Sequence, residues 1–292
     1  MNLYLIDATY ELFRAFYGYP KRLSPSGMEV GAIRGLMEHI VRIRNNEQNT
    51  YIAAAFDADV ISFRNDLYSG YKTGEGMDPE ILAQFQLAQD AIEMLGITLW
   101  RMYKYEADDA IASAVNKFKD SVDKVIIGSP DKDLAQCVEG ERVVMWSTRK
   151  KEYTNQEGVK KKFGIEPNQI PDFLALAGDA SDGIPGIKGV GPKTASSLIS
   201  EYGDIHSISK SSNEWVEKVR SGEKIKISLD ENFDDIKLFK DLATLRLDVP
   251  LSSTIEELLP REIDKNKLDI FCNNLGFENF KAQVSLRDPK TP

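Results

Sequence analysis

Through the first half of the chain, short apolar runs alternate with longer stretches in which apolar residues recur every three or four positions. The runs are LYLID (3–7), TYIAAAFD (50–57), ITLWRM (97–102), VIIGS (125–129) and RVVMW (142–146). Short apolar runs rich in β-branched residues, bounded by polar breaks, predict strands. Between them, GAIRGLMEHIVRI sets Ile33, Leu36, Met37, Ile40 and Ile43 on one helical face, and DDAIASAVNKFKD does the same with Ile111, Val115 and Phe118. DPEILAQFQLAQDAIEML opens on Asp78 and Pro79, an N-cap followed by a proline that a first helical turn accepts. Strands alternating with helices predict βαβ units, hence an α/β fold with a mostly parallel central sheet flanked by helices. After about residue 150 the strand signals fade. PNQIPDFLALAGD, PKTASSLISEYG and LDENFDDIKLFKDLATL read as short helices with Gly/Pro punctuation. The pattern therefore predicts a core over 1–160 and a helical region over 161–292 packed on it, with SLRDPKTP as a frayed tail.

Composition narrows the class. A chain of 292 residues, 42% hydrophobic and 28% charged, can bury a sizeable core, as one large domain or one with a smaller appendage. Its two cysteines, Cys137 and Cys272, lie far apart with no CxxC and no His/Cys cluster. That argues against a disulfide scaffold and a structural zinc site, and fits a reducing cytoplasm. The N-terminal apolar run is too short, and Asp7 and Glu11 come too early, for a signal peptide. No segment approaches the roughly 20 apolar residues of a membrane span, so no membrane partner is expected. The net charge of −9 counts mildly against a polyanionic partner. Charge can be sorted by face, however, and acids that converge on metal ions overstate the field a polyanion meets.

The acids fall in a pattern. Asp7 ends the first strand-like run and Asp57 the second; Glu106 follows the third and Asp131 the fourth. Asp108, Asp109 and Asp133 stand beside them. In an open parallel sheet, ligands bind beyond the carboxyl ends of the strands, so these side chains would point into one crevice. A lone Asp after a strand commonly caps the next helix, and Asp108 or Asp109 would suit a helix N-terminus through the dipole. The conjunction says more than any one of them. Mutually close buried carboxylates cost several kcal/mol unless their pKa values rise or cations arrive. Oxygen donors without His or Cys favour Mg²⁺ or Mn²⁺ over zinc. Two such ions roughly 3.5–4 Å apart form the clamp that activates water and stabilises a leaving oxygen in phosphodiester hydrolysis.

A second signal is LALAGDASDGIPGIKGVGPKTASSLI. Asp179 and Asp182 lie three apart, followed by Gly186, Lys188, Gly189 and Gly191, then Pro192 opening a helix with Lys193 and Thr194 in its first turn. Glycines here allow positive φ and close backbone approach, and amides at a helix N-terminus suit a phosphate oxygen. The same stretch also reads as a helix–turn–helix linker, glycine-rich for geometry alone. No strand precedes it, which argues against a nucleotide site. A grip on a DNA backbone fits better, since backbone contacts position a duplex without reading its sequence.

With these residues in hand, the chain resembles a 5′-nuclease of the flap-endonuclease superfamily, like the 5′→3′ exonuclease domain of bacterial DNA polymerase I and standalone bacteriophage 5′-exonucleases. The matching stretches are LIDATYELFRAF, SGMEVGAIRGLMEHI, AAAFDADVISFRNDLYSGYK, EADDAIA, SPDKDLAQ, DFLALAGDASDGIPGIKGVGPKTA and LATLRLDVPL, in family order from about residue 3 to 251. The resemblance implies a PIN-like nuclease core, a helical arch at about 68–90 that admits a single-stranded 5′ end, and a C-terminal helix-hairpin-helix at about 184–200. It implies two Mg²⁺ ions, with Mn²⁺ as a substitute and K⁺ at the helix-hairpin-helix. Asp7, Asp57, Glu106 and Asp108 would hold the first ion, while Asp109, Asp131, Asp133, Asp179 and Asp182 would supply the second, with Asp108 bridging. Lys72 corresponds to the family's active-site lysine and acts with Asp108 and Asp131 in catalysis. Arg64, Lys72, Gly186, Lys188, Gly189, Gly191, Lys193 and Thr194 would contact DNA. Lys72 and Arg64 also read as ordinary solvated side chains, the commoner fate of Lys and Arg. The implied activity is 5′→3′ exonuclease and flap-endonuclease cleavage of DNA with 5′ flaps, nicks or 5′ ends, by a freestanding cytoplasmic monomer in replication, repair or primer removal.

The chain departs from the family pattern at Ala8, at Pro130 before DKD, at Gly183 in SDG, and at Glu75, where an arginine is common. None of these removes a carboxylate. Three rivals remain for the same residues. A PIN-like ribonuclease would need neither the glycine hairpin nor Asp179 and Asp182. A non-catalytic DNA-junction binder would have lost carboxylates. A phosphatase would need a DxD at the first strand, and LIDATYE has none.

Overall fold

The computed structural model describes residues 1–251, 254–277 and 280; the expected frayed tail SLRDPKTP lies outside the described residues. In chain order the elements are β1 (Asn2–Asp7), α1 (Ala8–Gly18), α2 (Gly31–Arg44), β2 (Asn49–Asp57), α3 (Phe63–Leu67), α4 (Pro79–Leu82), α5 (Phe85–Met94), β3 (Thr98–Met102), α6 (Ala107–Phe118), β4 (Lys124–Gly128), β5 (Val143–Ser147) and β6 (Glu152–Thr154). Helices α7 (Gln156–Phe163), α8 (Ile170–Ala177), α9 (Pro192–Tyr202), α10 (Ile205–Lys210), α11 (Ser212–Trp215), α12 (Gly222–Glu231), α13 (Phe233–Ala243) and α14 (Lys265–Asn274) follow. They form two compact units interleaved along the chain. Residues 1–60, 74–129 and the described residues from 247 on make the first, and residues 61–73 and 130–246 the second.

The first unit has the parallel α/β arrangement that the pattern predicts, but not over the expected 1–160: residues 61–73 and 130–160 belong to the second unit and the described residues from 247 on to the first. Its strands run parallel in the order β3-β2-β1-β4. Ile6 pairs with Ala54 on one side and Gly128 on the other, and Asp57 pairs with Met102, so the carboxyl ends of the strands fall level. Leu3, Leu5 and Ile6 of β1 are fully buried, as in a sheet covered on both faces. The stripes Ile33–Ile43 of α2 and Ile111–Phe118 of α6 are buried as their spacing requires. The chain beyond 246 completes this unit. Val249 N–H donates to Ser113 Oγ at 3.0 Å, Arg261 N–H to the Gly96 carbonyl at 2.8 Å, and the guanidinium groups of Arg22 and Arg34 each lie 5.6 Å from the Phe277 ring.

Helix formation around residue 80 differs from expectation. Asp78 caps as predicted, accepting from Glu80 N–H at 2.8 Å, but the helix breaks after Leu82 and resumes at Phe85. Gln84 is fully buried at the break. Its Nε2 donates to Glu29 Oε2 at 2.6 Å and its Oε1 accepts from Ile33 N–H at 3.3 Å, which ties the chain to the start of α2. The stretch expected to form a helical arch, 68–90, is helical only from Pro79 onward. Residues 68–78 are irregular because Gly74 and Gly76 sit at φ 70° and 82°, outside helical geometry.

In the second unit β5 and β6 pair antiparallel, Met145 opposite Thr154. The short, polar β6 carries no apolar run to predict it. Helix α8, a glycine-rich loop and α9 form the expected helix-hairpin-helix, and α13 packs along α8. Residues 61–73 join this unit through their side chains: Tyr68 meets Phe239 edge-on at 5.7 Å, and Arg64 is buried. Arg64 Nε donates to the Leu242 carbonyl at 2.7 Å and Nη2 approaches the Thr244 carbonyl at 3.4 Å, capping the C-terminus of α13. No helix among the described residues is long and apolar enough to cross a membrane.

Candidate metal centre

Each unit carries its own group of carboxylates. In the first, β1 and β2 end on Asp7 and Asp57, and α6 begins just after Glu106. Asp7 is nearly buried. Its Oδ1 accepts from Tyr10 N–H at 2.9 Å, capping α1, and its Oδ2 accepts from the Ser129 hydroxyl at 2.8 Å, at the end of β4. Asp57 Oδ1 accepts from Ala107 N–H at 2.7 Å, which ties the end of β2 to the first turn of α6. That bond sets Asp57 beside Glu106 and the half-buried Asp108. Thus β1, β2 and the α6 N-terminus deliver four expected acids to one end of the sheet.

Asp109 does not follow the expectation. It is fully buried and its Oδ2 accepts from Glu106 N–H at 3.0 Å, a capping bond within α6. The spacing that makes it a neighbour of Asp108 turns it into the helix rather than outward. We assign it to holding Glu106 in place rather than to metal ligation.

The second unit brings together Asp131, Asp133, Asp179 and Asp182. Oxygens of Asp133, Asp179 and Asp182 lie within 4.8 Å of one another. Asp179 and Ile184 exchange backbone hydrogen bonds at 2.7 and 2.8 Å, closing the turn that presents Asp179 and Asp182 together. Gly183 within that turn sits at φ 74°, and a Cβ there would stand 2.1 Å from the Gly70 carbonyl oxygen. The SDG departure is therefore explained by a close backbone approach that only glycine permits.

Charge in this group is partly balanced by two lysines. Lys132 Nζ is 2.7 Å from Asp179 Oδ2, and Lys72 Nζ is 2.9 Å from Asp182 Oδ1. Burial opposes ionisation of Asp179, but hydrogen bonds from Lys132 and Ser181 outweigh it and hold its carboxyl below the ordinary value. Asp133 is the opposite case. Burial first, then the charges of Asp131 and Asp182, raise its carboxyl well above the ordinary value. Its Oδ1 is shielded from solvent and has no hydrogen-bond partner. An oxygen-only donor set with a shielded, unsatisfied carboxylate oxygen fits a hard divalent cation.

The remaining expected residues divide. In the hairpin, Ile187 and Val190 are buried anchors, while Lys188, Gly189, Gly191 and Lys193 are exposed and Thr194 is partly so. Gly186 sits at φ 68°, where a Cβ would lie 2.4 Å from Gly178 N. The Gly189 and Gly191 amides have no acceptor among the described residues. Arg64 contradicts expectation: buried on the α13 carbonyls, it is not presented to a phosphate. Sequence reasoning missed Lys132, although a single cation between two aspartates in DKD is itself a signal. It also missed Ser129 and Ser181, whose hydroxyls carry no motif of their own.

Comparison with known proteins agrees with this picture. A family model described as "5′-3′ exonuclease, N-terminal resolvase-like domain" matches residues 2–164, and one described as "5′-3′ exonuclease, C-terminal SAM fold" matches residues 165–266. The 5′-3′ exonuclease of Aquifex aeolicus is 35% identical over 97% of this chain and 95% of its own length. DNA polymerase I of Pseudomonas aeruginosa is 32% identical over 99% of this chain, which spans 32% of that protein. Among solved structures, the bacteriophage T5 flap endonuclease, in a pseudo-enzyme–product complex with DNA and metal ions, shares the fold. Its TM-score is 0.68 at 19% identity, covering 95% of this chain and 99% of that one. The chain belongs to the 5′-3′ exonuclease family.

Proposed function

We propose that the protein is a Mg²⁺-dependent, structure-specific 5′-nuclease that cuts DNA at 5′ flaps, nicks and 5′ ends, as a monomer in the cytoplasm. The observation that carries this reading is the convergence of Asp133, Asp179 and Asp182 within 4.8 Å, one oxygen shielded and unsatisfied. Divalent ions bound to such oxygens lower the pKa of water and neutralise charge on a phosphodiester. Asp7, Asp57, Glu106 and Asp108 would hold ions in the first unit and Asp131, Asp133, Asp179 and Asp182 in the second. Mg²⁺ fits because every donor is an oxygen, and Mn²⁺ shares that preference. Lys72, now paired with Asp182, has an ammonium that can transfer to a phosphate oxygen once other charge neutralises the carboxylate. The Gly189 and Gly191 amides, with Lys188 and Lys193, would hold the duplex backbone, with K⁺ at the same hairpin.

The test offers three substrates, a labelled 5′-flap DNA, an RNA hairpin and a phosphomonoester, each with Mg²⁺ or EDTA. Release of the flap strand alone, with Mg²⁺ alone, is the expected result. Cleavage of only the RNA would overturn the proposal in favour of a PIN-like ribonuclease. Asp179→Asn should reduce flap cleavage by more than about 100-fold, since even outer partners of metal ligands are worth 10–100-fold. DNA affinity should stay nearly constant, because the hairpin grip survives. Parallel loss of both would make Asp179 a structural residue.

A further inference from the structure

Away from the hairpin and the carboxylates, the second unit carries a concentration of positive charge that no motif accounts for. Six of the fourteen residues from 149 to 162 are cationic and two are acidic, in a chain of net charge −9. The fold gathers them onto two adjoining elements. Arg149, Lys150 and Lys151 form the turn between β5 and β6, and Lys160, Lys161 and Lys162 form the last turn of α7, which packs against β6. The turn is tight: Lys151 sits at φ 56° and its N–H donates to the Ser147 carbonyl at 2.7 Å.

Two of the six are neutralised locally. Lys150 lies 3.3 Å from Glu152, and Lys160 lies 2.6 Å from Glu166. Arg149, Lys151, Lys161 and Lys162 are exposed and have no carboxylate within 4.0 Å among the described residues. Cations in a last helical turn complement the helix dipole, which accounts for some of α7 but not for Arg149 and Lys151. Beside the turn, Tyr153 is 55% exposed and packs on Trp146 with ring centroids 4.6 Å apart. Aromatic surface interleaved with unpaired cations suits nucleic acid better than solvent alone. Lys162 feels both signs of charge. Burial and then the charge of Lys150 lower its pKa, while Asp131 raises it, and its ammonium lies 4.7 Å from the centre of the Phe163 ring.

We propose that the β5–β6 turn and the C-terminal turn of α7 form a second DNA-backbone contact, in which Arg149, Lys151, Lys161 and Lys162 hold phosphates. This rests on the nuclease reading above and adds to it a contact separate from the hairpin. Contacts of this kind position a strand without reading its bases, and each releases counter-ions.

The test compares the full-length protein with the variant Arg149→Gln/Lys151→Gln/Lys161→Gln/Lys162→Gln. Anisotropy with a fluorescent 5′-flap DNA in EDTA is followed across a KCl series. Loss of four phosphate contacts should weaken binding by more than about tenfold. It should also flatten the slope of log K against log[KCl] by about 3.6, at roughly 0.9 per contact. The milder pair Lys161→Gln/Lys162→Gln, on the exposed end of one helix, should lose about half of that slope. Replacing the same lysines with arginine should restore it. An unchanged slope and affinity in both glutamine variants, while the wild type binds and cuts the flap, would overturn this contact and leave the nuclease reading standing. A wild type that binds no DNA would overturn both.

Discussion

Replacing Lys132 with methionine should make the ion-free protein less stable and its affinity for Mg²⁺ higher. The ammonium of Lys132 lies 2.7 Å from Asp179, whose side chain is only 4% exposed, while Lys132 itself is 33% exposed. Exposed ion pairs are worth under about 1 kcal/mol, and breaking a buried one costs about 3–5 kcal/mol. A pair with one end shielded and one end wet falls between, at about 1–2 kcal/mol. For a chain of this size that corresponds to a loss of roughly 2–6 °C in Tm in EDTA. A divalent ion that takes Asp179 must displace the ammonium, and Lys132→Met removes that competitor. Calorimetric titration with Mg²⁺ should then show a Kd about 5–30-fold lower in the variant, the same energy read as binding.

The sign of the pH dependence follows from the same pair. The Asp179 carboxyl is held below its ordinary value, so its contribution is present above the unfolded pKa and disappears as pH falls through the folded one. Burial opposes charging of Lys132, yet Asp179 and its neighbours raise its pKa overall, so the pair's contribution is lost at the other end as pH rises through that value. The difference in Tm between wild type and variant should therefore be level across neutral pH and close at both extremes, below about pH 4 and above the ordinary lysine value of about 10.4. A variant as stable as the wild type in EDTA, and weaker in binding Mg²⁺, would show that Lys132 supports the ion site instead of standing in for the ion.

Other expectations separate structural from functional roles. Arg64→Ala should cost about 2–4 kcal/mol in denaturant unfolding, because it leaves the Leu242 and Thr244 carbonyls unserved, and should leave the salt slope of DNA binding unchanged; a flatter slope at constant stability would return Arg64 to the phosphate. His39 is buried, its pKa lowered to about 3 by burial and then by Arg14 and Arg42, since Glu11, 3.6 Å away, is already bound to Arg14 at 2.6 Å. An unfolded histidine takes up its proton near pH 6.5, so stability should fall by about 3–5 kcal/mol as pH drops from there toward 3. His39→Leu should remove that acid limb, and an unchanged limb would refute the assignment. Gly183→Ala, with its Cβ forced against the Gly70 carbonyl, should destabilise by about 2–4 kcal/mol and depress cleavage with it; a silent substitution would mean the 179–184 turn is free to shift.

What could be read from the sequence, and what could not, divides by the range of the interactions involved. Strands β1, β2 and β4 announced themselves because each is buried on both faces and so is a nearly continuous apolar run, whereas β3 buries only Trp100 and Met102. Their terminal acids could be read with them, because a parallel sheet puts every carboxyl end at the same edge. Asp78 capping its helix is a bond over two residues, visible in the order Asp-Pro. The failures are long-range. Arg64 is claimed by carbonyls 178 and 180 residues further on, and Gln84 breaks its helix for a partner 55 residues back. Composition changes near residue 160, yet the compact units interleave, because residues 61–73 pack through Tyr68 and Arg64 on α13. No local pattern encodes such partners.

Asp109 and Lys132 mark a further limit, where the sequence supplies the right atoms and leaves their use open. Side by side in EADD, Asp108 and Asp109 carry identical chemistry, and only the helix that begins between Glu106 and Asp108 sends one outward and the other onto the Glu106 N–H. Net charge fails for a related reason. The total of −9 sums carboxylates that meet lysine ammonium groups in the second unit with the unpaired Arg149, Lys151, Lys161 and Lys162 exposed elsewhere on that unit. A polyanion meets the local field and not the sum. The acidity that first argued against a DNA partner is therefore what its chemistry needs, provided the opposite charge is placed on different elements, as the β5–β6 turn and α7 place it.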